Sequence, residues 1–331
     1  MSTDLAFEAV DYGKPGSTVW AERAHSLWPS TVQSWADESI RSPEVQSEAL
    51  RQFAEYLPEL VPVLDGLTEV MDEPGAAAFL TQATFKPFFV SCSQTGAAGA
   101  LVRNYDFDPA LCERTIARTD YLRPVIGVNE ALWGMLDGMN DAGLAVSLTF
   151  GGRFVHGPGM CIAIVIRYLL ETCDTVDEAW QRLQTIPIST AQNLTLVDRD
   201  QTLSVHVGPD IAPTRAADAC VTNHQVEPVT EEYEKDSRTL ERLAAVRVAT
   251  AAAASDNVGA GPAGDLPVEQ LIQAMLRPPL YNFDLTSGLG TLYTAAYRPA
   301  EGRVSYIWPK GQRWEQSFAA FTPGTKTVAV G

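Results

Sequence analysis

The chain has 331 residues, 46% of them hydrophobic, enough to bury one large core or two average ones. Its 41 acidic against 24 basic residues give a formal charge of −17, which repels a phosphate backbone, and no basic patch offsets it, so nucleic acid is not an expected partner. No apolar run reaches the ~18–20 residues that span a bilayer, and the N-terminus MSTDLAFEAVDYG has neither a basic stretch nor an apolar core; no membrane partner is expected, and the location reads as cytoplasmic.

In chain order, residues 1 to about 83 read as mainly helical, with Ser42 and Pro43 opening the amphipathic run SPEVQSEALRQFAEYLPELVPVLDGLTEVM. From Phe85 the character changes. FKPFFVSCSQ and ALVRNYDF are short β-rich runs around the turn TGAAG and predict a hairpin with Cys92 in its first strand. Further strands are predicted at 143–150, 193–198, 202–208 and 219–223, and a closing pair at GTLYTAAYRP and GRVSYIWP turns at Ala300, Glu301 and Gly302. Between them, MCIAIVIRYLLETC, TVDEAWQRLQTI and EEYEKDSRTLERLAAVRVATAAAA carry helical spacing, the last as the longest helix. Residues 255–267 read as an exposed Gly/Ala/Pro loop, and the segment DGMNDAGL as a tight turn built on Asn140, Asp141 and Gly143. Helices set between groups of hairpin-linked strands favour a layered α+β fold over a doubly wound parallel sheet.

The five cysteines, Cys92, Cys112, Cys161, Cys173 and Cys220, are odd in number and lack any CxxC pair, which argues against a disulfide framework and a structural zinc. GxGxxG, Walker and HExxH signatures are absent, and neither cofactor nor metal is expected. The chemistry concentrates in SCSQTGAAGALVRNYDF. Arg103 follows Cys92 by eleven positions, and the hairpin sets the two side by side. A thiol attacks a carbonyl as thiolate, and an adjacent guanidinium lowers its pKa from about 8.5. Asp106, three beyond Arg103, is placed to hold an amine. Strand alternation sends Arg103 and Asp106 to opposite faces, so a bend or bulge after Asn104 is predicted to bring them together.

Taken in order, SCSQ, RNYDF, LWGMLDGMNDAGLAVSLTFGGR, VTNHQ, DSRTLERL and TLYTAAYRPAEGRVSYIWP resemble the acyl-coenzyme A:6-aminopenicillanic acid acyltransferase family, relatives of the choloylglycine hydrolases, penicillin V acylases and acid ceramidases. The resemblance runs from about residue 55 to the C-terminus. It implies the N-terminal-nucleophile hydrolase fold, a four-layer αββα sandwich. It also implies self-cleavage between Ser91 and Cys92, dividing a helical pro-segment, 1–91, from a catalytic domain, 92–331. Carried over, it makes Cys92 the nucleophile, Arg103 and Asp106 its flanking pair, Asn223 an oxyanion donor, and Arg242, with Arg238, a structural or substrate-side cation. Related enzymes carry Asn where this chain has Thr149, so a hydroxyl or backbone N–H must serve there.

The implied substrate is a small-molecule amide or acyl compound, with acyl-CoA and acyl-amino acids among the candidates, and a homo-oligomer is left open. Trp133, Met135, Met139, Phe150 and Phe154 read either as an acyl pocket or as core. His224 is the alternative base of an uncut Cys92/His224 hydrolase, and a third reading is an uncleaved binding or scaffold protein. Cleavage would free the Cys92 α-amino group, whose reference pKa of about 7.7–8.0 suits it to take the thiol proton.

Overall fold

The computed structural model describes residues 3–83, 85, 91–225, 227–256 and 266–330. Among them lie two sheets. The larger has the strand order β10-β9-β8-β7-β6-β5-β4-β1-β14 and the smaller β13-β12-β11-β3-β2. The strands are β1 (Thr3–Gly13), β2 (Ser91–Ala97), β3 (Ala100–Asp106), β4 (Thr115–Asp120), β5 (Pro124–Glu130), β6 (Gly134–Asn140), β7 (Ala145–Phe150), β8 (Gln192–Val197), β9 (Thr202–Gly208), β10 (Ile211–Arg215), β11 (Thr291–Arg298), β12 (Arg303–Trp308), β13 (Gln312–Ser317) and β14 (Gly324–Val330). The helices are α1 (Thr18–Trp35), α2 (Pro43–Tyr56), α3 (Val61–Met71), α4 (Ala76–Thr81), α5 (Ile162–Thr172), α6 (Val176–Leu183), α7 (Glu231–Ser237), α8 (Thr239–Asp256) and α9 (Leu266–Met275).

The sheets face each other with β2 and β3 against β7 and β8; α5 covers the outer face of the larger sheet, and α8 and α9 that of the smaller. This is the four-layer αββα order. Both faces of each sheet are therefore covered, and β3, β6, β7 and β8 are buried along their whole length. Helix α5 is enclosed too, with Ile162 to Leu170 all buried and its one buried cation, Arg167, paired with Glu171. It presses close at Gly138, where an added Cβ would meet Leu170 Cδ1 at 2.8 Å.

The N-terminal region is not helical throughout. Leu5, Phe7, Ala9 and Tyr12 are buried in β1, which runs parallel to β4 and antiparallel to β14, so residues 3–13 are an inner strand of the larger sheet. Helix α2 starts as its sequence dictates, with Pro43 in the first turn and the Ser42 hydroxyl accepting from Val45 N–H. The expected longest helix is two, because Arg238 takes a left-handed conformation (φ 50°) and breaks α7 from α8. The expected strand at 219–223 is a single bridge, Val221 to Gln94. Of the loop expected at 255–267, residues 257–265 lie outside the described set, as do residues 86–90 of the predicted hairpin, and α9 already begins at Leu266.

Candidate active site

Strand β2 is the free edge of the smaller sheet, and its outward backbone groups are met by the stretch after β10. Gln94 exchanges both backbone hydrogen bonds with Val221, each 3.0 Å. Two residues earlier on the same edge, the Cys92 N–H donates to Asn223 Oδ1 at 3.1 Å, and the Cys92 carbonyl accepts from Arg242 Nη1 at 2.6 Å. Arg242, reaching in from α8, also donates to Asn223 Oδ1 and to Ser93 Oγ. With two donors on Oδ1, the Asn223 amide is held by its oxygen; its Nδ2 edge, among the described residues, donates only a long 3.4 Å bond to Phe150 O. Gly152 allows this approach: at φ +76° its backbone lies so near that an added Cβ would meet Asn223 O at 2.4 Å.

The thiol itself is met by Arg103. In the hairpin, Cys92 pairs with Tyr105 and Gln94 with Arg103, so the guanidinium lies diagonally across from the sulfur and Nη2 donates to Sγ at 3.0 Å. Arg103 Nη1 donates to Asp137 Oδ2 at 2.7 Å and to Leu136 O at 3.1 Å, and its carbon sits 4.8 Å from the Tyr105 ring centre. Both members of this pair are fully buried. Cys92 is also fully buried, and burial pushes its thiol up to about 11 against the pull of Arg103. In the continuous chain the sulfur is therefore a protonated, sealed thiol beside a cation.

Asp106 stands on the other face. Its carboxylate accepts from Ser91 Oγ at 3.4 Å and Thr291 Oγ1 at 2.6 Å, and Arg242 lies 3.7 Å away. Burial raises its pKa, opposed first by Arg242. The bend expected after Asn104 is absent: the β2–β3 register runs unshifted from Ser91 opposite Asp106 to Ala97 opposite Ala100. Alternation holds, and Arg103 serves the sulfur between the sheets while Asp106 serves Ser91 on the helix side. The irregularity lies on β11 instead, where the register shifts between Thr291 and Tyr293.

The remaining predicted residues fall elsewhere. The Thr149 hydroxyl donates to Thr222 O at 2.8 Å, and its cross-strand partner Asn193 donates to Thr149 Oγ1 at 3.1 Å and to Thr222 O at 2.8 Å, so both tether the stretch that carries Asn223. His224 Nδ1 contacts Thr239 Oγ1 at 2.9 Å rather than the thiol, and burial lowers its pKa; it lines a cleft of about 260 Å³ with His206, Cys220 and Arg247. Trp133 is core, its indole donating to Leu80 O of α4. Phe150 is buried, and its ring lies 4.9 Å from that of exposed Phe154. Arg238 pairs in solvent with Glu241, apart from the cluster. Sequence reasoning missed Asp137, Tyr293 and Tyr297. The signal was present: one carboxylate inside the apolar run LWGMLDGMN, and two tyrosines four apart, on one face of a strand.

The layered architecture is that of the N-terminal-nucleophile hydrolase fold. The chain overlays a mutant conjugated bile acid hydrolase from Clostridium perfringens with a TM-score of 0.50 at 11% identity, covering 72% of this chain and 96% of that one. Penicillin V acylase from Agrobacterium tumefaciens gives 0.43 at 14% identity over 72% and 83%, and a Caenorhabditis elegans N-acylethanolamine-hydrolyzing acid amidase ortholog 0.42 at 14% over 68% and 98%. Among curated protein sequences none matches. The profile of the acyl-coenzyme A:6-aminopenicillanic acid acyl-transferase family matches residues 92–313, and the chain belongs to that family, whose members act on amide carbon–nitrogen bonds. No helix among the described residues is long and apolar enough to cross a membrane.

Proposed function

We propose that the protein is a cysteine amidohydrolase or acyltransferase that activates itself by cutting the Ser91–Cys92 bond. The observation that carries this reading is that Arg103 meets the Cys92 sulfur, Asn223 and Arg242 its backbone N–H and carbonyl, and Asp106 the hydroxyl of the preceding Ser91, from positions up to 150 residues apart. The family match also begins at Cys92. In the cut, the Cys92 sulfur attacks the Ser91 carbonyl carbon, the thiol proton passes to the departing Cys92 nitrogen, and the resulting thioester takes up water. The products are a Ser91 carboxylate, a free thiol and a free α-amino group.

That amine then takes the place of the peptide N–H in front of Asn223 Oδ1, and it accepts the thiol proton when a substrate amide arrives. Arg103 stabilises the thiolate, which adds to the amide carbonyl. The Nδ2 edge of Asn223 is the donor left for the tetrahedral oxyanion, a contribution of roughly 2.7–4 kcal/mol. The substrate amine leaves with the proton, and water or an acceptor amine resolves the thioester. Arg242 holds the Cys92 carbonyl and Asn223 in place throughout. His224 has no part, since its ring contacts Thr239.

Intact mass spectrometry of freshly made protein tests this. The wild type should separate under denaturing conditions into 1–91 and 92–331, and Cys92→Ala should stay whole and inactive. An active wild type of undivided mass would favour an uncut hydrolase, and an inactive undivided one a binding protein; either result ends the proposal.

A further inference from the structure

Arg103 serves two partners. One edge of its guanidinium holds the Asp137 carboxylate and the other the Cys92 sulfur. A fully buried carboxylate 2.7 Å from the same cation that must stabilise a thiolate works against it, because the second anion competes for a charge already matched. Asp137 is not left to Arg103 alone. Tyr293 OH donates to Asp137 Oδ2 at 2.6 Å, and Tyr297 OH donates to Oδ1 while lying 3.1 Å from Tyr306 OH. All three rings are buried, and burial together with Asp137 raises their pKa values well above the ordinary phenol, so the hydroxyls stay protonated and act as donors.

We propose that Asp137, Tyr293 and Tyr297 are positioning residues that fix Arg103 against Cys92 and draw the carboxylate's charge onto the two phenols, leaving the sulfur-facing edge of Arg103 positive. This rests on the reading of Cys92 as the nucleophile. Hydrogen bonds to an ionised acceptor are the strong ones, and two phenol donors compete directly with the guanidinium for Asp137. The geometry also fixes direction. Nη1 is tied to Asp137 and Leu136 O, and the Tyr105 ring lies 4.8 Å from the guanidinium carbon, so Nη2 is aimed at Sγ.

Two substitutions move the thiol in opposite directions, which no merely structural role does. In Tyr297→Phe the carboxylate falls back on Arg103, and the thiolate midpoint of Cys92 rises by about one unit, a tenfold loss of thiolate at any pH below it. In Asp137→Asn the competing anion is gone and the midpoint falls. The midpoint is read from thiolate ultraviolet absorbance as the difference between each protein and the same protein carrying Cys92→Ser, which cancels the other cysteines and the tyrosines and needs no reagent to reach the sulfur. An unchanged or lowered midpoint in Tyr297→Phe overturns the proposal even if Asp137→Asn fails to fold. Failure of the nucleophile assignment shows separately, as processing or turnover that persists in Cys92→Ala.

Discussion

The two faces of the β2–β3 hairpin divide the work of the site between them. Between the sheets, Arg103 links the Cys92 sulfur to Asp137 beside the Tyr105 ring in a fully buried environment, where each charge is felt strongly. On the helix side, Ser93 and Asp106 meet Arg242, and at the open edge Asn223 meets the Cys92 N–H, so backbone groups rather than a thiol are held. On the proposed reading the two buried arginines do different things: Arg103 would set reactivity and Arg242 geometry. A single strand can present both because its side chains alternate while its edge N–H and C=O point in a third direction.

The sharpest way to break this division is to remove each arginine in turn. Arg103→Met leaves Asp137 buried without its cation and should cost about 3–5 kcal/mol of stability, read by denaturant unfolding, while raising the Cys92 midpoint. Arg242→Met should slow self-cleavage while moving that midpoint less; equal shifts in both variants would dissolve the distinction. Next in size, Asn223→Ala should lower kcat for amide turnover by about 10²–10³, with the Arg103 face untouched.

The pH dependence of cutting isolates the sulfur. With the thiol at about 11 in the continuous chain, it is protonated at neutral pH, and the self-cleavage rate should climb about tenfold per pH unit until that value is approached. A rate already flat above neutrality would mean that Arg103 outweighs burial. The smallest effect belongs to Arg238→Ala. Its pair with Glu241 is solvent-exposed, so less than ~1 kcal/mol of stability and no change in turnover are expected.

How much of this was legible in the sequence depends on how local the signal was. Cys92 and Arg103 sit on one hairpin, where the turn TGAAG fixes the register, and their proximity could be read directly. Asn223 and Arg242 reach the backbone N–H and carbonyl of Cys92 through tertiary folding alone, and the ordered motifs, not any spacing rule, singled them out. Asp137 was hidden because β6 is buried on both faces, which removes the alternation that marks a strand and makes a lone acid in it look like part of a turn. The break at Arg238 was invisible, since no Gly or Pro announces it. Strand β1 was overlooked for the opposite reason: its alternating Leu5, Phe7 and Ala9 were outvoted by the strong helical signals that follow. The expectation of a bend after Asn104 failed because it assumed one face for two residues that belong to two.

The place of β1 in the larger sheet carries a consequence for what a cut at Ser91–Cys92 would leave behind. The last of the described strands, β14, touches the larger sheet through β1, and β1 in turn joins it to β4. The N-terminal piece would thus be the middle plank of a bridge whose far end is the C-terminus, with Trp20 and Leu80 pinned on either side of the β5–β6 turn. Severing the chain would open one covalent link without freeing either half, and residues 92–331 made alone would lack the plank on which their own final strand hangs.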